Sequence, residues 1–211
     1  MHVTSLGFRT DLALLTASGS VVEDRGTHLV VRSPDNPSYF WGNFILLAQP
    51  PALGGEREVV GAFQTEFPMA DHVSIGIDAA DLGDESQAAF EAAGLTVDVA
   101  TVLTASSLTP PREVEAEVRQ LVGDEDWEAR ARLSQQLYPQ TSEEAFMTFA
   151  RQKNAQERRL VDAARDPSVR SAVSMPMLTW SASGNSVWKA PMTSRSPPGT
   201  GGSASRMKLP Q

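Results

Sequence analysis

The chain has no cysteine among its 211 residues, so it can form no disulfide framework, thiol nucleophile or zinc-thiolate site. Histidine is nearly as scarce: His2, His28 and His72 are the whole supply, and no two share the spacing of a metal-ligand pair. No run of about 18 apolar residues occurs. Residues 1–15 lack the basic, apolar and small-residue zones of a signal peptide, so the expected location is the cytoplasm. Basic residues are also in deficit, with 18 Lys and Arg against 26 Asp and Glu and a net charge of −8. That balance argues against nucleic acid or an anionic membrane as a principal partner, because both call for a basic face.

The deficit is not spread evenly. Residues 1–165 hold 25 acidic and 13 basic side chains, whereas residues 166–211 hold one acid, Asp166, and five bases. Ser, Pro and Gly fill 20 of those last 46 positions. A segment so composed buries too little apolar surface to offset the entropy of ordering it, so a disordered or extended carboxy-terminal tail is expected. A folded core is to be sought upstream, where hydrophobic content is ordinary for a globular protein.

What is present upstream alternates between helical and strand patterns. Thr10-Asp11 precedes Leu12, Leu14 and Leu15 as a helix start, and Ser18-Gly19 closes that element. Thr27 to Arg32 has strand propensity and ends at the turn Ser33-Pro34-Asp35-Asn36-Pro37. Tyr39 to Leu47 reads as a central strand, antiparallel to the first. Val59, Val60, Phe63 and Phe67 recur at helical spacing before Pro68. A strand from His72 to Ile77 follows, then a helix closed by Gly94 and a strand from Leu95 to Thr104. After Pro110-Pro111 the alternation of Val114, Ala116 and Val118 with Glu115, Glu117 and Arg119 predicts a half-buried strand that Gly123 ends. Asp124, Glu125 and Asp126 mark the start of a helix. Thr141 with Glu144 fits the capping box of another that runs to Arg165.

The motifs Val22-Glu23-Asp24-Arg25-Gly26, Asn36-Pro37-x-Tyr39-Phe40-Trp41-Gly42-Asn43-Phe44, Glu66-Phe67-Pro68, Phe90-Glu91-Ala92-Ala93-Gly94-Leu95 and Val102-Leu103-Thr104 lie along this pattern. Together they resemble the GNAT acetyltransferase superfamily, in particular tandem proteins of actinobacterial type with a degenerate amino-terminal half and a catalytic carboxy-terminal half. The resemblance spans residues 6–165. Phe90 and Leu95 stand where the family has the Tyr and Phe of Tyr-x-x-x-Gly-Phe. It implies an α/β fold of the α+β kind, with a mixed, mostly antiparallel central sheet flanked by helices. Residues 1–110 would form the degenerate domain, 111–165 the opening of a second, and 166–211 the tail. It further implies acetyl-CoA as cofactor and a small-molecule amine as acceptor, joined by direct attack in a ternary complex.

Two departures qualify that expectation. The family holds the cofactor pyrophosphate on a Gln/Arg-x-x-Gly-x-Gly/Ala loop at a helix start, and no such string occurs in the chain. Phe90 has no hydroxyl with which to protonate a leaving thiolate. The expected activity is therefore an acetyltransferase that is inactive as written, its catalytic half truncated or frame-shifted. The alternative is a non-catalytic ligand- or protein-binding module.

Candidate side chains each have a structural reading beside the functional one. Tyr39, Trp41 and Asn43 are the substrate-binding candidates, with Asn able to bond an amine and Trp to supply an apolar wall. The same cluster also reads as strand core with Asn bracing a backbone bend. Glu23-Asp24-Arg25 is a carboxylate set or a solvated strand end. His28 and His72 read as satisfied structural groups, and Glu115 with Glu117 as a solvated face. Arg151, Lys153, Arg158 and Arg159 form a basic stripe for a phosphate or partner, or a solvated helix surface.

Overall fold

The computed structural model describes residues 1–104, 107, 119–137 and 142–165, together with the backbone of 184–189. It is an α+β protein with a mixed sheet flanked by helices. Its elements are α1 (Leu6–Ala17), β1 (Val21–Asp24), β2 (His28–Arg32), a 3-10 turn (Phe40–Gly42), β3 (Phe44–Leu47), α2 (Glu56–Glu66), β4 (Val73–Ile77), α3 (Asp84–Ala92) and β5 (Thr96–Ala100). Beyond them lie α4 (Gly123–Gln135), α5 (Glu143–Arg165) and β6 (Gly184–Lys189).

The strand order is β1-β2-β3-β4-β6-β5. Only β3 and β4 run parallel, joined by the crossover through α2, and the other described pairs are antiparallel. The expected hairpin of the second and third strands is present, with Val31 opposite Phe44 and Val30 opposite Ile45. β6 belongs to the segment expected to be a disordered or extended tail outside the core, yet it is a strand of the sheet, paired between β4 and β5. The rest of residues 166–211 lies outside the described residues.

Alternation along the strands divides the core in two, because successive side chains point to opposite faces of a sheet. Val30, Ile45, Val73, Ile75 and Ile77 face α2 and α3, where Val59, Phe63, Phe90 and Leu95 close over them. Leu29, Val31, Phe44 and Leu46 face α1, against Phe8 and Leu15.

Four boundaries differ from the sequence expectation. α1 begins at Leu6 with Ser5 as its cap, whose Oγ accepts from Phe8 N at 3.2 Å. Thr10 is interior, its hydroxyl donating to Leu6 O at 2.8 Å. β1 was missed because Glu23 and Asp24 hide the strand character of Val21 and Val22 on a half-exposed edge. Tyr39–Gly42 is a turn instead of strand, since Gly42 lies so close to the Tyr39 ring and Ser33 Oγ that a β-carbon there would collide with both. β5 ends at Ala100, short of Thr104.

The exit of α3 follows the sequence. Gly94 has φ of 81° and Leu95 N donates back to Phe90 O at 3.1 Å, the left-handed termination glycine allows. The strand expected across Val114–Gln120 falls largely outside the described residues, and Arg119 and Gln120 are not in a strand. α4 starts as its acids suggest: Asp126 accepts from Val122 N at 2.7 Å and from Arg119, which hold its carboxyl down to about 2, the Arg119 bond contributing most.

α4 and α5 pack as a hairpin around Ala131, Phe146, Met147 and Ala150, with Phe149 at the margin. α5 also lies against the end of α1 and the turn before β3. Arg159 donates to Ser18 O at 3.3 Å and to Asp35 at 2.6 Å, and the Phe149 and Tyr39 rings are 5.8 Å apart. No helix among the described residues is long and apolar enough to cross a membrane.

Candidate functional site

In an open sheet with parallel strands, ligands lodge beyond the carboxyl ends of those strands, where helix starts offer unpaired N–H groups. Here that place lies beyond Leu47 and Ile77, where the chain leaves β3 for α2 and where α1 begins. Both helix starts there hold a carboxylate of this chain.

At α2, Glu56 is 7% exposed and its Oε1 accepts from Gly54 N at 3.2 Å. Gly55 N is committed to Ala52 O at 2.9 Å, and Gly55 O receives Glu58 N and Val59 N. Backbone donors that would meet a phosphate are thus partly spent inside the loop, and a buried negative group stands at the helix start where the dipole would favour an anion. At α1, Asp78 is 3% exposed. It accepts from Thr4 N at 2.5 Å, Thr4 Oγ1 at 3.0 Å and Ser5 N at 2.9 Å. Burial pushes its carboxyl up, and the Thr4 and Ser5 donors together outweigh burial and leave it below the usual value.

The three substrate-binding candidates lie at the other end of β3, with Asn43 four residues and ~13 Å from its last residue, Leu47. Asn43 is 6% exposed and its amide is fully engaged with the preceding turn. Its Oδ1 accepts from Ser33 N at 3.0 Å, and its Nδ2 donates to Asn36 O at 2.9 Å and Tyr39 O at 2.8 Å. Asn43→Ala leaves the buried Ser33 N without its acceptor and strips Asn36 O and Tyr39 O of one donor each, although Tyr39 N and Gly42 N still reach those carbonyls. It is expected to cost about 2 kcal/mol, read as a lower urea midpoint at unchanged m-value. Trp41 stacks on Phe44 with centroids 4.8 Å apart and planes 2° from parallel, and tilts against Phe8 at 6.1 Å. Tyr39 is half-buried under α5, its ring beneath the Lys153 ammonium at 4.3 Å.

Comparison with family models, with curated proteins and with solved structures gives no match.

The remaining candidates resolve into supports. His72 is 6% exposed among Phe40 and Phe63, and its Nε2, 3.2 Å from Asn43 O, must be the donor because a carbonyl only accepts. Burial pushes its pKa down, which favours the neutral ring. His28 is only half satisfied: its Nδ1 pairs with Thr27 Oγ1 at 3.0 Å, while its Nε2 is buried without a partner. Glu23 joins Arg25, Arg32 and Glu66 in a cluster that ties the β1–β2 hairpin to the end of α2, with the Arg32 guanidinium 4.7 Å above the Phe67 ring. Glu115 and Glu117 lie outside the described residues.

The basic stripe of α5 is spent internally. Arg151 binds Glu128 at 2.7 Å, Arg158 binds Asp124 at 2.6 Å, Arg159 binds Asp35, and Lys153 makes a loose pair with Glu157 at 3.9 Å. These arginine pairs are exposed and contribute little stability each, but they use the charge a phosphate would need. Asp124 and Glu128 also line a shallow groove between α4 and α5 with Trp127 and Asn154.

Sequence reasoning missed Asp78, Glu56 and the Lys153–Tyr39 contact. Asp78 and Thr4 are 74 positions apart, and no local pattern signals such a pair. Glu56 was legible as an acid after Gly54-Gly55 at a helix start.

Proposed function

We propose that the chain is a GNAT-type acetyltransferase relative whose acyl-CoA site is closed, so that the fold serves without transferring an acetyl group. The carrying observation is Glu56. A strand, a loop and a helix start follow one another at β3 and α2, as the family's cofactor site requires, and the position for the pyrophosphate holds the protein's own buried carboxylate. An added diphosphate would meet a like charge in a region of reduced dielectric, which is strongly unfavourable. The residue at the family's tyrosine position supports the same reading: Phe90 is fully buried in the α2–α3 core and offers no proton. Acetyl-CoA does not fit the residues present, and no catalytic step is derived through it.

Calorimetric titration of the purified chain with acetyl-CoA is expected to give no saturable heat up to about 1 mM ligand. Micromolar binding would overturn the proposal, because the closed helix start could not then be the cofactor position.

A further inference from the structure

We propose that the Tyr39 ring and the carboxylates beside it form a binding site for a primary alkylammonium group, and that Lys153 fills this site from within the chain. The inference stands apart from the acyltransferase reading and needs no CoA.

Lys153 Nζ lies 4.3 Å from the Tyr39 ring centroid, within the range in which an ammonium is attracted to an aromatic face. The other cations of the stripe differ. Arg151, Arg158 and Arg159 each reach a carboxylate within 2.7 Å, whereas Lys153 stands 3.9 Å from Glu157 and takes the ring instead. Glu157 is shared with Arg130 at 2.5 Å, so part of its charge is already used. Burial is the main influence on both groups, and Asp11, from α1, adds a negative charge felt by the Tyr39 hydroxyl and the Lys153 ammonium. One aromatic face and two acids from separate helices make a recognition set for a cation on a slim aliphatic stem.

Two polar atoms near the pair in sequence are unpaired. Asn36 Nδ2, three residues before Tyr39, and Gln156 Oε1, three residues after Lys153, are both buried without a partner. Asn36 is 0% and Gln156 2% exposed. Lys153 itself keeps 26% of its side-chain surface exposed, and burial pushes its pKa down, so the ammonium is partly stripped of water and the ring counts for more.

The test uses the full chain with Lys153→Ala, titrated with n-butylammonium chloride against sodium chloride at equal ionic strength. Thermal melting and the Tyr39 ring resonances are the readouts. The variant is expected to melt lower than the wild type and to be restored saturably by n-butylammonium, with a dissociation constant at least about tenfold below that of the wild type. Spermidine and Nα-acetyl-lysinamide, run in parallel, distinguish a free polyamine from a peptide lysine by which binds tighter. Tyr39→Leu combined with Lys153→Ala should lose saturable restoration. A folded Lys153→Ala chain without saturable binding, or a double variant restored equally well, overturns the proposal. Lys153→Met keeps the aliphatic stem should the alanine variant not fold. Failure of both to fold also overturns it, because a ring-capping ammonium contributes too little to decide folding.

Discussion

Phe8→Ala is expected to destabilise the protein by about 4 kcal/mol, within the usual range for removing a fully buried aromatic. Phe8 is 0% exposed and sits where α1 crosses the sheet, among Leu29, Val31, Phe44 and Leu46. The close approach depends on β4: a β-carbon on Gly76 would lie 2.9 Å from the Phe8 ring and 2.8 Å from Leu46 Cδ1. Both neighbours are fully buried and cannot swing away, so Gly76→Ala should itself cost about 1–3 kcal/mol by overpacking. The pair should not be additive. In the Phe8→Ala background the ring contact is gone and Leu46 has room to shift, so Gly76→Ala should cost less than in the wild type, a coupling of about 1 kcal/mol. Urea unfolding followed by fluorescence reports on this core, because Trp41 stacks on Phe44 within it. A loss below about 1.5 kcal/mol for Phe8→Ala would mean that α1 is not seated on the sheet as described.

How much of this was legible in the sequence depends on the range of the interactions. The two core faces follow from period-two alternation at Leu29-Val30-Val31 and Phe44-Ile45-Leu46, and α2 from Val59, Val60 and Phe63. Local conformational signals also held where one residue fixes the geometry, as at Gly94. They failed where tertiary contacts compete with propensity. Aromatic residues from Tyr39 to Trp41 favour a strand in isolation, but Asn43 gathers the carbonyls of Asn36 and Tyr39 into a turn that shortens β3. Thr10 looked like a cap because Asp11 follows it, while the real cap, Ser5, is fixed by a carboxylate far along the chain.

The candidate site shows the same division. Tyr39, Trp41 and Asn43 could be picked out as unusual residues, but their partners could not. Trp41 and Asn43 turn out to be spent on packing and on the backbone. Tyr39 alone presents an aromatic face to a cation, and that cation comes from a helix more than a hundred residues later. The basic stripe on α5 was equally visible and equally ambiguous, since its partners Glu128, Asp124 and Asp35 lie on other segments.

Asp78→Ala should be the most damaging charge change in the described residues, at about 3 kcal/mol. It removes an acceptor of three hydrogen bonds and leaves Thr4 N and Ser5 N short of a partner beside the α1 start, where hydrogen bonds to a charged group contribute ~1.5–3 kcal/mol apiece before compensation by water. The carboxylate also sits at the positive end of the α1 dipole, so it tethers the helix that carries Phe8 to the end of β4. Its pKa is lower in the folded chain than the ordinary value of about 3.9, which fixes the sign of the pH effect. The folded state binds this proton less tightly than the unfolded state, so the contribution of Asp78 is complete above about pH 4 and is lost as pH falls through the folded value. The wild type and Asp78→Ala should therefore differ most at neutral pH and converge in acid. Urea midpoints measured from pH 7 down to about pH 3 test this. A gap that stays constant across that range would show that the tether does not depend on the charge of Asp78.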